Sequence, residues 1–216
     1  GTTLCEQILS SHSNVVGAGE LDYLANLSGL EKLIETPAKN LKKFLKNIEN
    51  HNFLEKLRDE YIELLGSHVI NNEQYVCDKM PHNFILIGLI KTILPEAHII
   101  YCKREPMDNC FSLYAHKWVE MSHQYSYNQD ILCEYYKKHE DLMGHWLKMY
   151  SDIYTLDNES LVYNQKKITM ELLDFCDLPW EPECLEFHQN KRQVRTASID
   201  QVRKPINNKS IGAWKN

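Results

Sequence analysis

Four groups of residues in this 216-residue chain have the types and spacing needed to handle an anion and transfer a group from it. Gly1-Thr2-Thr3-Leu4 opens a stretch with Leu4, Ile8 and Leu9 at helical spacing. A glycine–threonine turn at a helix start offers backbone N–H groups, two hydroxyls and the positive end of the helix dipole, a setting that suits phosphate. Glu20 follows Val15-Val16-Gly17-Ala18-Gly19, read as a loop whose two glycines allow close approach to that turn. A carboxylate there can take the proton of an attacking hydroxyl. Lys79 follows the β-prone run Tyr75-Val76-Cys77, where a cation stabilises charge developing on a leaving oxygen. Arg104 follows the apolar run His98–Cys102, and Ser112 lies about two turns along the helix that Pro106 begins. The planar arginine fork and the serine hydroxyl both donate to phosphate oxygens.

Each group also has a plainer reading. Threonine caps helices that bind nothing, and Glu20 fits the first turn of a following helix. Asp78 could pair with Lys79, and Glu105 or Asp108 could neutralise Arg104. Singly, the plainer readings are the commoner ones. What sets the four apart is that together they follow strand-end positions in chain order, the first as though a strand preceded Gly1.

The elements that must position them follow from periodicity. Thr2 to Ser11 reads as a capped helix, and Leu21 to Leu65 as mostly helical with breaks near Pro37 and Asn50 to Asn52. Tyr75–Cys77, His98–Cys102 and Ser160–Tyr163 read as short buried strands. Helices are expected over Phe84–Leu94, Pro106–Val119, Ile131–Tyr150 and, after Tyr163, through Phe175. Short apolar strands alternating with helices predict an α/β fold with a parallel sheet covered on both faces. In such sheets ligands bind beyond the carboxyl ends of the strands.

Composition narrows the classes. A formal net charge of -6 argues against a nonspecific nucleic-acid binder, and no run approaches the ~20 apolar residues of a membrane span. The segment from Lys191 to Asn216 reverses the balance: seven basic residues (Lys191, Arg192, Arg195, Arg203, Lys204, Lys209, Lys215) face one acid, Asp200. It is either a solvated tail or a local anion site. Seven cysteines without a C-x-x-C pair read as reduced, buried thiols of a cytoplasmic protein. The ten histidines form no metal-type cluster, so no metal is expected.

Longer motifs carry a resemblance. Gly1-Thr2-Thr3-Leu4 with Gly19-Glu20 resembles the phosphosulfate loop and downstream acid of the sulfotransferase superfamily, and Arg104 to Ser112 resembles its 3′-phosphate motif. Leu142-Met143-Gly144-His145-Trp146, Phe175 to Pro182 and Val194 to Pro205 look like the bacterial tetratricopeptide-repeat sulfotransferases, relatives of tyrosylprotein sulfotransferase. The resemblance covers essentially the whole chain.

It implies a three-layer, P-loop-like catalytic domain over 1–216, with a helical insertion about 21–66 and a nucleotide-covering segment about 191–216. The chain opens at Gly1, so the N-terminal strand and the first half of the phosphate loop are expected to be missing, with a repeat domain expected upstream. The implied donor is 3′-phosphoadenosine 5′-phosphosulfate (PAPS), and the implied acceptor is a hydroxyl of a peptide, carbohydrate or small molecule. Gly1, Thr2, Thr3 and Leu4 would cradle the 5′-phosphosulfate, and Arg104 and Ser112 would hold the 3′-phosphate. Tyr163 would contact adenine, while Lys204 and Asn207 would belong to the covering segment. Lys79 and Ser198 would stabilise the leaving oxygen, and Glu20 would be the general base. His116 stands where tyrosylprotein sulfotransferases carry a basic residue, and Ala213 replaces one before Trp214. A nucleotide kinase is the alternative enzyme, disfavoured because the Walker lysine is absent. A nucleotide-binding scaffold without turnover is the non-enzymatic alternative.

Overall fold

The structure, a computed structural model, describes residues 1–30, 37–118, 121–193, 196 and 199–215. Its elements run α1 (Thr2–Leu9), β1 (Val15–Gly19), α2 (Tyr23–Ser28), α3 (Pro37–Ile48), α4 (His51–Gly66), β2 (Tyr75–Asp78) and α5 (Ile87–Ile93). Then come β3 (Ile99–Lys103), α6 (Pro106–Ala115), α7 (Gln129–Met149), β4 (Ile153–Asp157), α8 (Asn158–Tyr163), α9 (Gln165–Phe175) and α10 (Ile199–Val202). They fall into two compact units: Thr2–Ala97 with Glu181–Arg203, and Gly1 with His98–Trp180 and Lys204–Asn216. The first is called here the α1 unit and the second the α6 unit.

In the α1 unit β1 pairs with β2 in parallel, Val15 opposite Tyr75 and Gly17 opposite Cys77. The register shifts between Gly17 and Gly19, which brings Gly19 opposite Asp78. Lys79 N donates to Gly19 O at 3.0 Å, so the two strands end side by side. A core of Leu24, Leu30, Leu57, Tyr61, Leu86, Leu89 and Ile93 packs the helices of this unit together. Burial of such side chains is the main favourable term in folding. Helix α2 stops at Gly29, whose φ of 74° lets its N–H and that of Leu30 return to the last carbonyls.

In the α6 unit β3 pairs with β4 in parallel, from Ile99 opposite Ile153 to Lys103 opposite Asp157. Leu132, Met143, Leu156, Leu161, Leu172 and Leu173 are buried here. Side chains cap the helix starts: the Glu105 carboxylate accepts Asp108 N at 2.7 Å, with Pro106 in the first turn as expected. Asn128 Oδ1 accepts Asp130 N and Ile131 N at the head of α7.

Both strand pairs being parallel agrees with the expected α/β class. Three local expectations fail. Val15–Gly19 is strand β1 and not a loop, because pairing with β2 overrides the weak strand preference of two glycines. Ser160–Tyr163 is helical and not a strand: the Asp157 carboxylate accepts Ser160 N at 2.7 Å and starts α8, and the strand is Ile153–Asp157 just before it. A four-residue apolar run has no period that separates the two states. The Pro106 helix also ends at Ala115, short of Val119.

Gly17 is fixed by space. A Cβ there would stand 2.9 Å from Arg192 Cζ, and that guanidinium is bonded to Gly17 O at 3.0 Å and Glu6 Oε1 at 3.0 Å. Gly17→Ala is expected to lower stability by about 1–3 kcal/mol in urea unfolding, since the arginine must give up bonds to make room. Unchanged stability would mean that Arg192 moves aside freely.

Candidate active site

In the α1 unit the first turn of α1 leaves its leading N–H groups without intrahelical carbonyls. Thr3 is buried, and its Oγ1 donates to Thr196 Oγ1 at 3.3 Å. Thr2 and Leu4 are half-buried beside it.

Lys79 is only 7 % exposed, and its ammonium donates to Glu20 Oε1. A buried ammonium is stable only with a partner, and the carboxylate that serves it is itself partly open to solvent. The plainer pairing with Asp78 is not made. Asp78 Oδ2 accepts Tyr61 Oη at 2.7 Å and Asn83 Nδ2 at 3.3 Å. Burial raises the Asp78 carboxyl above its ordinary range, opposed by those two bonds, and burial also pushes the Tyr61 hydroxyl well up. Tyr61 therefore stays a neutral donor, tying α4 to the end of β2. Glu20 lies before α2, whose N-cap is Asp22, so it is not a first-turn acid.

Behind this pair sits a buried cluster that sequence reasoning missed. Glu6, 1 % exposed on α1, accepts Gly19 N at 2.7 Å and Arg192 Nη1 at 3.0 Å through one oxygen, Oε1. Arg192 Nη2 reaches Gln7 Oε1 at 3.3 Å. Arg203 donates to the carbonyls of Asn190 and Arg192. Arg192 and Arg203 figured in the sequence only as members of a basic segment; helical spacing from Thr2 to Glu6 was the one signal for the acid.

In the α6 unit Gly1 is packed closely: a Cβ would meet Asn158 Oδ1 at 3.2 Å and Cys102 Cβ at 3.7 Å. Arg104 follows β3, and its Nη2 donates to Ser210 O at 2.9 Å. Its Nε is buried and has no hydrogen-bond partner among the described residues. Neither nearby acid neutralises it. Glu105 caps α6, and Asp108, 1 % exposed, accepts Gly212 N at 2.6 Å and Trp214 N at 3.5 Å. Asp108 thus holds the C-terminal stretch beside Arg104, a role that its place inside the arginine–serine motif did not reveal. Ser112 is exposed one turn further along α6. Tyr163, 63 % exposed, ends α8. Lys204 and Asn207 are exposed, and Asn207 Oδ1 accepts Lys209 N at 3.2 Å.

The structure therefore brings Glu20 and Lys79 together, sets Thr3 against Thr196, and gathers Arg104, Asp108 and the C-terminal stretch. Ser198, expected to act on the leaving oxygen, lies outside the described residues. All seven cysteines lie outside any disulfide; Cys5, Cys176 and Cys184 are buried, whereas Cys133 is exposed, against the expectation of burial. Among the described residues no three His, Cys, Asp or Glu side chains are grouped to hold a metal ion. No helix among them is long and apolar enough to cross a membrane.

The family model described as "Sulfotransferase family" matches residues 1–182, and the chain belongs to that family. Among its relatives is a protein of Aquifex aeolicus (strain VF5) named only "Uncharacterized protein", 34% identical over 221 residues, which covers 100% of this chain and 29% of that protein. Protein-tyrosine sulfotransferase 1 of Danio rerio is 20% identical over 222 residues, covering 99% of this chain and 62% of that protein. The chain thus spans less than two thirds of the length of either relative. In fold it is similar to the "Sulfotransferase Domain from the Curacin Biosynthetic Pathway", with a TM-score of 0.67 at 15% identity, over 100% of this chain and 87% of that one.

The Asp108 clasp gives a direct test. Hydrogen bonds to a charged acceptor contribute about 1.5–3 kcal/mol each. Asp108→Ala is accordingly expected to speed tryptic cleavage at Lys209 and Lys215 by roughly tenfold or more. Cleavage at the rate of the unaltered chain would show that the carboxylate does not hold this stretch.

Proposed function

We propose that the chain transfers a sulfuryl group from PAPS to an acceptor hydroxyl. One observation carries the reading above all: a buried lysine and a partly open glutamate, paired where two parallel strands end. Glu20 takes the proton of the acceptor hydroxyl as its oxygen forms a bond to sulfur. The bond from sulfur to the 5′-phosphate oxygen breaks, and Lys79 donates to that oxygen as negative charge gathers on it. The first-turn N–H groups of α1 and the hydroxyls of Thr2 and Thr3 bind the phosphosulfate, with Gly1 and Leu4 completing the turn. Ser198 assists Lys79. The step resembles phosphoryl transfer, where positioning and electrostatics outweigh covalent help.

Arg104 and Ser112 hold the 3′-phosphate. In support, the Arg104 guanidinium has no acid paired with it among the described residues, and the Ser112 hydroxyl is exposed. Tyr163 offers an open ring for adenine, and Lys204 and Asn207 add to the covering segment, whose basic excess suits a strongly anionic donor. The acceptor class is a hydroxyl of a peptide, carbohydrate or small molecule. The reading includes a tetratricopeptide-repeat domain upstream and a cytoplasmic setting, which suits seven thiols outside any disulfide.

Glu20→Gln is expected to retain donor binding while losing turnover by at least the ~10²-fold typical of a removed general base. Full turnover in that variant would take the role away from Glu20. Arg104→Ala should weaken PAPS far more than adenosine 5′-phosphosulfate, which lacks the 3′-phosphate; equal losses for the two ligands would contradict the assignment.

A further inference from the structure

We infer that Glu6 and Arg192 form a positioning brace for transfer, with Glu6 fixing the residue that precedes the base and Arg192 rooting the segment that carries Thr196. The inference rests on the reading of Glu20 as the base.

Glu6 Oε1 accepts two donors, Gly19 N at 2.7 Å and Arg192 Nη1 at 3.0 Å, while Oε2 has no partner among the described residues. Burying a carboxylate is unfavourable unless its bonds offset the lost hydration. Neither of these bonds joins the apolar core. One ends on the backbone of Gly19, which has a φ of 81° and adjoins Glu20. Holding that amide holds the direction in which Glu20 leaves β1. The other ends on a guanidinium that also donates to Gly17 O at 3.0 Å and Gln7 Oε1 at 3.3 Å, so strand β1 and helix α1 are stitched together at one point.

Arg192 is also the root of a segment. Arg203 donates to the carbonyls of Asn190 and Arg192, and Asn190 Nδ2 donates to Ser10 O at 2.8 Å. Arg192 and Arg203, which bound the stretch 192–203, are therefore tied to each other, and Arg192 to α1. Within that stretch Thr196 meets Thr3, and Thr3 lies one turn before Glu6 on α1. Side chains three apart share a helix face, so one face of α1 holds the segment at two places. Moving a catalytic group by about 1 Å can lower a rate by ~10²-fold, and a brace of this kind sets the base to that tolerance.

The test uses the full chain with two readouts: amide hydrogen exchange at Gly19, and steady-state release of 3′-phosphoadenosine 5′-phosphate from PAPS with a tyrosine-containing peptide as acceptor. Glu6→Ala is expected to speed Gly19 exchange at least ~10-fold and to lower kcat by ~10-fold to 10²-fold, with the KM for PAPS changed far less. Glu6→Gln, whose Oε1 still accepts the Gly19 N–H, should recover most of kcat. Arg192→Gln, the milder change if Glu6→Ala does not fold, should instead raise the KM for PAPS several-fold with kcat nearly kept. Wild-type kinetics in Glu6→Ala or Arg192→Gln would overturn the inference, as would faster exchange spread evenly over the α1 unit, since that marks a merely structural role. If the unaltered chain releases no product, the transferase reading fails, and the exchange readout alone judges the brace: unchanged Gly19 protection in Glu6→Ala then refutes it.

Discussion

A lysine ammonium removed from water has to find an anion, and in this chain the anion is Glu20. Much else in the α1 unit follows from that constraint. The parallel register of β1 and β2, with its irregularity between Gly17 and Gly19, brings the two strand ends level. Lys79 N then donates to Gly19 O, and the side chains of the next residue on one strand and of Lys79 on the other can meet. Asp78, the nearer acid in sequence, is drawn away by Tyr61 and Asn83. Helix α4, through Tyr61, thereby decides which carboxylate the lysine receives. The helical stretch between β1 and β2 is thus part of the site's support as well as of its core.

The α6 unit solves a different problem, keeping a guanidinium available. Among the described residues Arg104 donates to a backbone carbonyl and to no acid, because the acids around it are occupied elsewhere: Glu105 on the α6 N-terminus, Asp108 on Gly212 and Trp214. An arginine without a carboxylate partner keeps most of its donors for an oxyanion. The same carboxylate that declines to pair with it secures the C-terminal stretch, which supplies Lys204 and Asn207 to the proposed donor site.

Much of this was legible in the residues. β2, β3, the helix opened by Pro106 and the helix before Cys176 follow from apolar periodicity and stop signals, and the parallel class follows from their alternation. β1 was not legible because two of its five residues are glycines, chosen by the close approach of Arg192 and by a positive φ, facts that only pairing reveals. α8 is not legible from periodicity because a short apolar run takes its state from the cap before it. At the candidate site, placement after a short strand pointed to Lys79 and Arg104, and the glycine pair before it pointed to Glu20. Their partners escaped, since Glu6, Asp108 and Arg192 act through backbone amides and carbonyls distant in sequence, for which no local motif exists.

Calorimetric titration of the chain with 3′-phosphoadenosine 5′-phosphate and, separately, with ATP is the most direct measurement of the central claim, that these residues recognise a doubly phosphorylated adenosine. Saturable one-to-one binding of the first, at least ~10-fold tighter than ATP, is the result predicted from a dedicated 3′-phosphate site. Equal affinity for both, or no binding of the first where ATP binds, would contradict it.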